Sequence, residues 1–282
     1  MIVPEQVAVV LRALDYAGAI AVAGAVLFRL SFPQAATAVG PLLRRQILFG
    51  FLLLLVVAPL RYGAFQLAIA EGDWALAFGP DLRWMAFETP IGRAAVLRLI
   101  AAGIIVVAGL RWPAVGLTAA LVLIASFLLE GHTAASELRL LVAPLLFVHL
   151  AAVHWWLGAL FPLLALTYCG APATVTATMT AFGRRAAWIV GTLLAAGVLL
   201  AVILTGADLR LGAYQQRLLI KLALVALLLS LAAFNKLRLT PLLQTDYARG
   251  LARLRASIRA EIAVAAVILC ASAWLVATAP DT

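Results

Sequence analysis

The stretch Leu140–Phe161, LLVAPLLFVHLAAVHWWLGALF, decides how this chain is read. It is apolar over more than the roughly 20 residues that a helix needs to cross a bilayer, yet it carries His149 and His154, two of the three histidines in the sequence. Lipid cannot satisfy imidazole nitrogens, so each ring needs a protein partner, a wet cavity or a ligand.

The rest of the 282 residues fits this reading. Hydrophobic residues make up 66% of the chain and charged ones 12%, which describes an integral membrane protein rather than a soluble domain. The sequence predicts an all-α polytopic protein, one transmembrane domain over residues 1–282. Eight spans are expected at about 4–30, 45–70, 91–110, 113–129, 140–161, 181–205, 211–234 and 258–278. Arg111, Trp112 and Pro113 predict a tight turn between the third and fourth spans rather than one very long helix. Glu5, Arg12 and Asp15 around the first apolar run do not match a cleaved signal peptide, so that run is expected to stay as a helix.

The net charge of +9 reads as topology, not as a nucleic-acid surface. Connections after odd-numbered spans collect Arg29, Arg44, Arg45, Arg111, Arg184, Arg185, Lys236, Arg238, Arg249, Arg253, Arg255 and Arg259. Those after even-numbered spans are rich in Glu71, Asp73, Asp81, Glu88, Glu130, Glu137 and Asp208. Positive charge marks the cytoplasmic side, so both termini are expected to face outward. Lys236 to Arg259 then forms a basic inner connection that meets anionic lipid. Glu71–Pro90, with Trp74, Trp84, Met85 and Phe87, is expected to lie on the outer surface or cap the bundle. Cys169 and Cys270 have neither zinc nor redox spacing and are expected to be free thiols.

Helical rise puts Asp15, His149 and Lys221 in one layer near the midplane, His149 roughly 14 Å down its span. Such groups either pin the bundle, Asp15 pairing with Lys221 or with Arg98, or line a polar path. His154 lies about 140° around the helix from His149, so the two do not form the same-face pair that grips one metal. Gly158, on the His154 stripe, allows close approach of a neighbouring helix and gives His154 an interhelical bonding role as one alternative. His132, in LLEGHTAASEL beside Glu130 and Glu137, has the imidazole and carboxylate donors that collect oxidised copper or another divalent ion. With three methionines and no Met-x-x-Met or Cys-x-x-Cys, a ladder of soft sulfur sites is not expected.

Several further stretches, EGHTAAS, HLAAVHWWLGALFPL, FGRRAAWIVGTLLAAGVLLAVILTG, LGAYQQRLLIKLALVALLLSLAAFNKLRLTP and LRASIRAEIAVAAVIL, occur in one order over about 121–280. In them the chain resembles the copper resistance D (CopD-like) family of bacterial membrane proteins; the first three helices resemble it less clearly, through ETPIGRAAVLR. Relatives often have serine-glycine-histidine where this chain has Glu130-Gly131-His132, a change that adds an oxygen donor. The resemblance implies a multi-pass inner-membrane protein that takes copper from the periplasm toward the cytoplasm, with a separate periplasmic copper carrier as partner. The sequence shows no hydrolytic triad or paired catalytic carboxylates, so no enzymatic role is expected. The resemblance also implies Trp156, Tyr214, Lys221, Asn235 and Glu261 as path residues beside the metal candidates His132, His149, His154, Glu130, Glu137 and Asp15. The alternatives are a haem- or quinone-linked electron carrier, and a scaffold that docks the periplasmic copper carrier.

Overall fold

In a computed structural model of the chain, residues 5–83, 88–131, 138–205 and 212–277 are described, and helices dominate them. The long helices are α1 Glu5–Ser31, α2 Gly40–Ile69, α3 Pro90–Ile104 with a π-helical turn Ile105–Gly109, and α4 Pro113–Ala125 with a 3₁₀ turn Ser126–Leu129. They continue as α5 Arg139–Cys169, α6 Pro172–Thr205, α7 Ala213–Phe234 and α8 Tyr247–Val276. Seven of these are long and apolar enough to cross a membrane, α7 counting with its continuation to Thr245; Pro113–Leu129 is shorter.

Several helices run past the expected ends. α5 continues through Pro162, because carbonyls freed by a proline inside a packed membrane helix find other partners. The basic segment after α7 is helical rather than a loop: a π-helical turn Asn235–Leu239, a short helix Thr240–Thr245, then the first turns of α8. Asp246 caps α8 by accepting a hydrogen bond from the Arg249 N–H at 3.2 Å. Arginine forms helices well and its stem can lie along apolar surface, so a run of arginines does not interrupt the helix as it leaves the apolar layer. Cys169 and Cys270 are both free and exposed.

The chain breaks between α3 and α4 as expected. Gly109 and Gly116 face each other there, and a side chain at Gly116 would strike the Gly109 carbonyl. The segment after α2 folds back over that helix: Asp73 caps Trp74–Ala77, and the Tyr62 hydroxyl and Gln66 amide donate to the Leu82 carbonyl at 3.3 and 3.2 Å. The described part of this segment packs on the end of α2; Trp84 to Phe87 lie outside the described residues.

α1 is the axis of the bundle and packs against α2, α4, α5 and α8. Small residues bring it close. Gly18 meets Gly50 of α2, and Gly24 meets Gly158 of α5 so tightly that a Cβ on either would overlap the other backbone. The Gln46 amide donates to the Ala21 carbonyl at 3.0 Å and to the Gly158 carbonyl at 3.3 Å, tying three helices at that crossing. The most apolar stretch of α1 is 44% buried against 17% for α6 and 11% for α7, which makes the last two the outer wall on one side.

Candidate functional site

Polar side chains inside this bundle fall into three groups. In the first, α1 supplies Asp15, α2 Arg61, α3 Arg98, and the end of α4 Ser126 and Glu130. Both guanidiniums reach both carboxylates. Arg61 and Arg98 each donate from Nη1 to Asp15 Oδ2, while their Nη2 atoms donate to Glu130 Oε2 and Oε1 at 2.7 and 2.8 Å. Arg98 Nε donates to the Ser126 hydroxyl at 3.1 Å, and its guanidinium lies 3.8 Å from the centre of the Phe127 ring. Asp15 and Arg98 are each 1% exposed. Two cations and two anions cancel here, as a charge cluster held out of water must. Burial raises the pKa of Glu130, just beyond the last turn of α4, but Arg98 and Arg61 outweigh that effect and hold it below the ordinary carboxylate range.

The network realises one of the two pairings open for Asp15, that with Arg98. Arg61 was missed. The signal was present, because an arginine well inside the apolar run of α2 meets the same criterion that singled out Asp15. Lys221 instead lies within electrostatic range of His149, so the expected layer of Asp15, His149 and Lys221 divides between two sides of the bundle.

His149 and His154 turn to different neighbours and do not converge on one point. His149 Nδ1 is 3.3 Å from the Leu193 carbonyl of α6, and its ring packs on Gly197. His154 faces α1 and α4: its ring is 6.1 Å from that of Phe127, the residue beneath Arg98. Its Nδ1 donates to the Leu150 carbonyl of its own helix at 2.7 Å, which fixes the proton there and leaves Nε2 as an acceptor. That Nε2 is buried and has no hydrogen-bond partner among the described residues. The interhelical bond considered for His154 is therefore made by His149 instead.

The third group surrounds a cavity of about 300 Å³ between α5, α6, α7, the π-helical turn and α8. Trp156, Met179, Phe182, Asn235, Lys236 and Glu261 are among its walls. Glu261 is 3% exposed and accepts a hydrogen bond at Oε1 from the Asn235 amide. Among the described residues it has no ion pair, and Asn235 Oδ1 is buried without a partner. Asn235 opens the π-helical turn, a distortion that often marks functional positions. Tyr214 is buried near the start of α7. His132 and Glu137 lie outside the described residues, and among the described residues no group of three or more His, Cys, Asp or Glu side chains is placed to hold a metal.

The family described as "Copper resistance protein D-like, N-terminal domain" matches residues 3–140, and "Copper resistance protein D" matches residues 176–275. The chain belongs to the copper resistance protein D family. A protein named "Copper resistance protein D" from Pseudomonas syringae pv. tomato is 27% identical over 264 residues, covering 86% of this chain and 84% of that protein. No solved structure matches significantly. Membership extends the likeness, read from the sequence mainly over 121–280, back through α1–α4. With the long apolar helices it makes this a copper-related multi-pass membrane protein. His149 and His154 fall between the two matched regions.

Proposed function

We propose that this copper resistance D-family protein is a carrier, not an enzyme, that moves copper across the bacterial inner membrane from the periplasm to the cytoplasm. The chain crosses eight times with both termini outward, Pro113–Leu129 being the short crossing, since the arginines cluster after odd-numbered helices. Copper arrives from a small periplasmic carrier protein, meets His132 with Glu137 at the outer face, passes His154 and leaves through the Glu261 cavity. Asp15 and Glu130 form the closed side of this route, held by Arg61 and Arg98.

The observation that carries the reading is the buried Nε2 of His154, a metal-ligating nitrogen with no partner among the described residues, beside Phe127. A neutral imidazole acceptor in an apolar setting is a ligand for copper in either oxidation state. His149 packs against α6, which also walls the Glu261 cavity, on the face of α5 that carries Trp156 two turns further on, so it lies on the cavity side of the route.

Copper content of cells lacking the protein, and copper uptake by vesicles reconstituted with it, test the reading. Uptake that depends on the protein and drops at least tenfold in His154→Ala is expected. Normal copper in the deletion strain together with inert vesicles overturns it, and leaves docking of a periplasmic copper protein as the function.

A further inference from the structure

We propose that the cavity between α5, α6, α7 and α8 is a binding site for one monovalent copper ion, Cu(I), with Glu261 as its anionic ligand. This rests on the copper-carrier reading and adds to it a place and an oxidation state. Charge balance is the first argument. A carboxylate taken out of water needs an opposite charge nearby. Asp15 and Glu130 have two guanidiniums between them; Glu261 has the neutral amide of Asn235. Lys236 shares the cavity wall, but its stem runs along Gly183 of α6 and it makes no ion pair with Glu261. α5 and α7 bring no ionisable side chain to the wall, and α6 brings none either. The Glu261 carboxylate thus faces the cavity without an ion-pairing cation among the described residues, and an incoming cation supplies that charge.

The donor set is the second argument. The Met179 thioether, 4% exposed, lines the same cavity as the Glu261 carboxylate and the unpartnered Asn235 Oδ1. Thioether sulfur selects Cu(I) over harder cations. Alkali ions prefer a full oxygen shell, which these walls do not offer. Cu(I) accepts low coordination numbers and needs no more than the oxygens and one sulfur at hand. Sulfur placed singly in this way needs no Met-x-x-Met motif.

The test is anaerobic titration of the purified full chain with Cu(I) against a colorimetric chelator, with Ag(I) as a redox-inert substitute, on wild type, Glu261→Gln and Met179→Leu. Glu261→Gln keeps the shape and the bond to Asn235 and removes the charge. Wild type is expected to hold one Cu(I) that Glu261→Gln loses or binds at least a hundredfold more weakly. Met179→Leu is expected to bind about tenfold more weakly, and X-ray absorption should then lose the single sulfur neighbour of the metal. Equal Cu(I) affinity and stoichiometry in wild type and Glu261→Gln, both eluting as folded protein, overturns the site. So does a wild-type copper spectrum with no sulfur neighbour. If uptake by vesicles still depends on the protein in either case, the carrier reading stands and the site alone falls; if uptake is independent of the protein, the carrier reading falls with it.

Discussion

Two buried acidic regions in one bundle are built on opposite plans. Around Asp15 and Glu130, each carboxylate is matched by guanidiniums from two different helices, and the sum of charges is zero. Around Glu261 the partner is a single neutral amide, and the space beside it is open. A charge compensated by protein is a tether, because no cation gains by approaching it. A charge left to an amide is a site, because an incoming cation supplies what the fold omits. On this view the network anchors α1, α2, α3 and the end of α4, and the cavity, walled by the less buried α6 and α7, is where the cargo rests.

The contrast is broken most severely at Arg98. Arg98→Met leaves Asp15 and Glu130 short of a cation in a buried setting, where removing one partner costs about 3–5 kcal/mol. Loss of most folded protein in detergent, read by size-exclusion yield and melting temperature, is expected; a melt like wild type would mean the network tethers nothing. Crowding the α1–α5 crossing comes next. Gly158→Val pushes a branched side chain into the Gly24 backbone and should cost at least the 1–3 kcal/mol or so typical of overpacking, seen as a lower melting temperature.

Glu261→Gln sharpens the comparison by doing little. No cation is stranded by it, so a melting temperature equal to wild type or slightly higher is expected in the absence of copper. A fall as large as that of Arg98→Met would show that Glu261 is ion-paired after all. The smallest effect is in pH. Glu130 is held below its ordinary range by Arg98 and Arg61, so its contribution to stability is full above the usual carboxylate pKa of 4.5 and is lost as pH falls through the lower folded value. The difference in melting temperature between wild type and Glu130→Gln should therefore stay constant from neutral pH down to 4.5 and shrink below it.

Much of this is legible in the sequence. The helical repeat of 3.6 residues separates His149 from His154 by about 140°, and the two rings do face different neighbours. Gly158 invited a close helix, and α1 fills that place with Gly24. Depth counting was less informative, because rise along a helix gives a level but not a direction around the axis: Asp15 meets arginines of α2 and α3, whereas His149 meets α6. The bounds of α5, α6 and α8 were underestimated because apolar content ends at the membrane surface while backbone hydrogen bonding does not. The Glu261 cavity was hidden for a different reason. It is made by elements that meet only in the folded bundle: Trp156, Asn235 and Glu261 were candidates singly, but no spacing along the chain records that they share one cavity with Met179.

Anomalous diffraction at the copper edge, from crystals of the protein loaded with Cu(I) under reducing conditions, tests the contrast most directly. The dominant peak is predicted in the cavity beside Glu261 and Met179, with the Arg61 and Arg98 guanidiniums still bridging Asp15 to Glu130. A dominant peak between Asp15 and Glu130, with the arginines displaced, would contradict it.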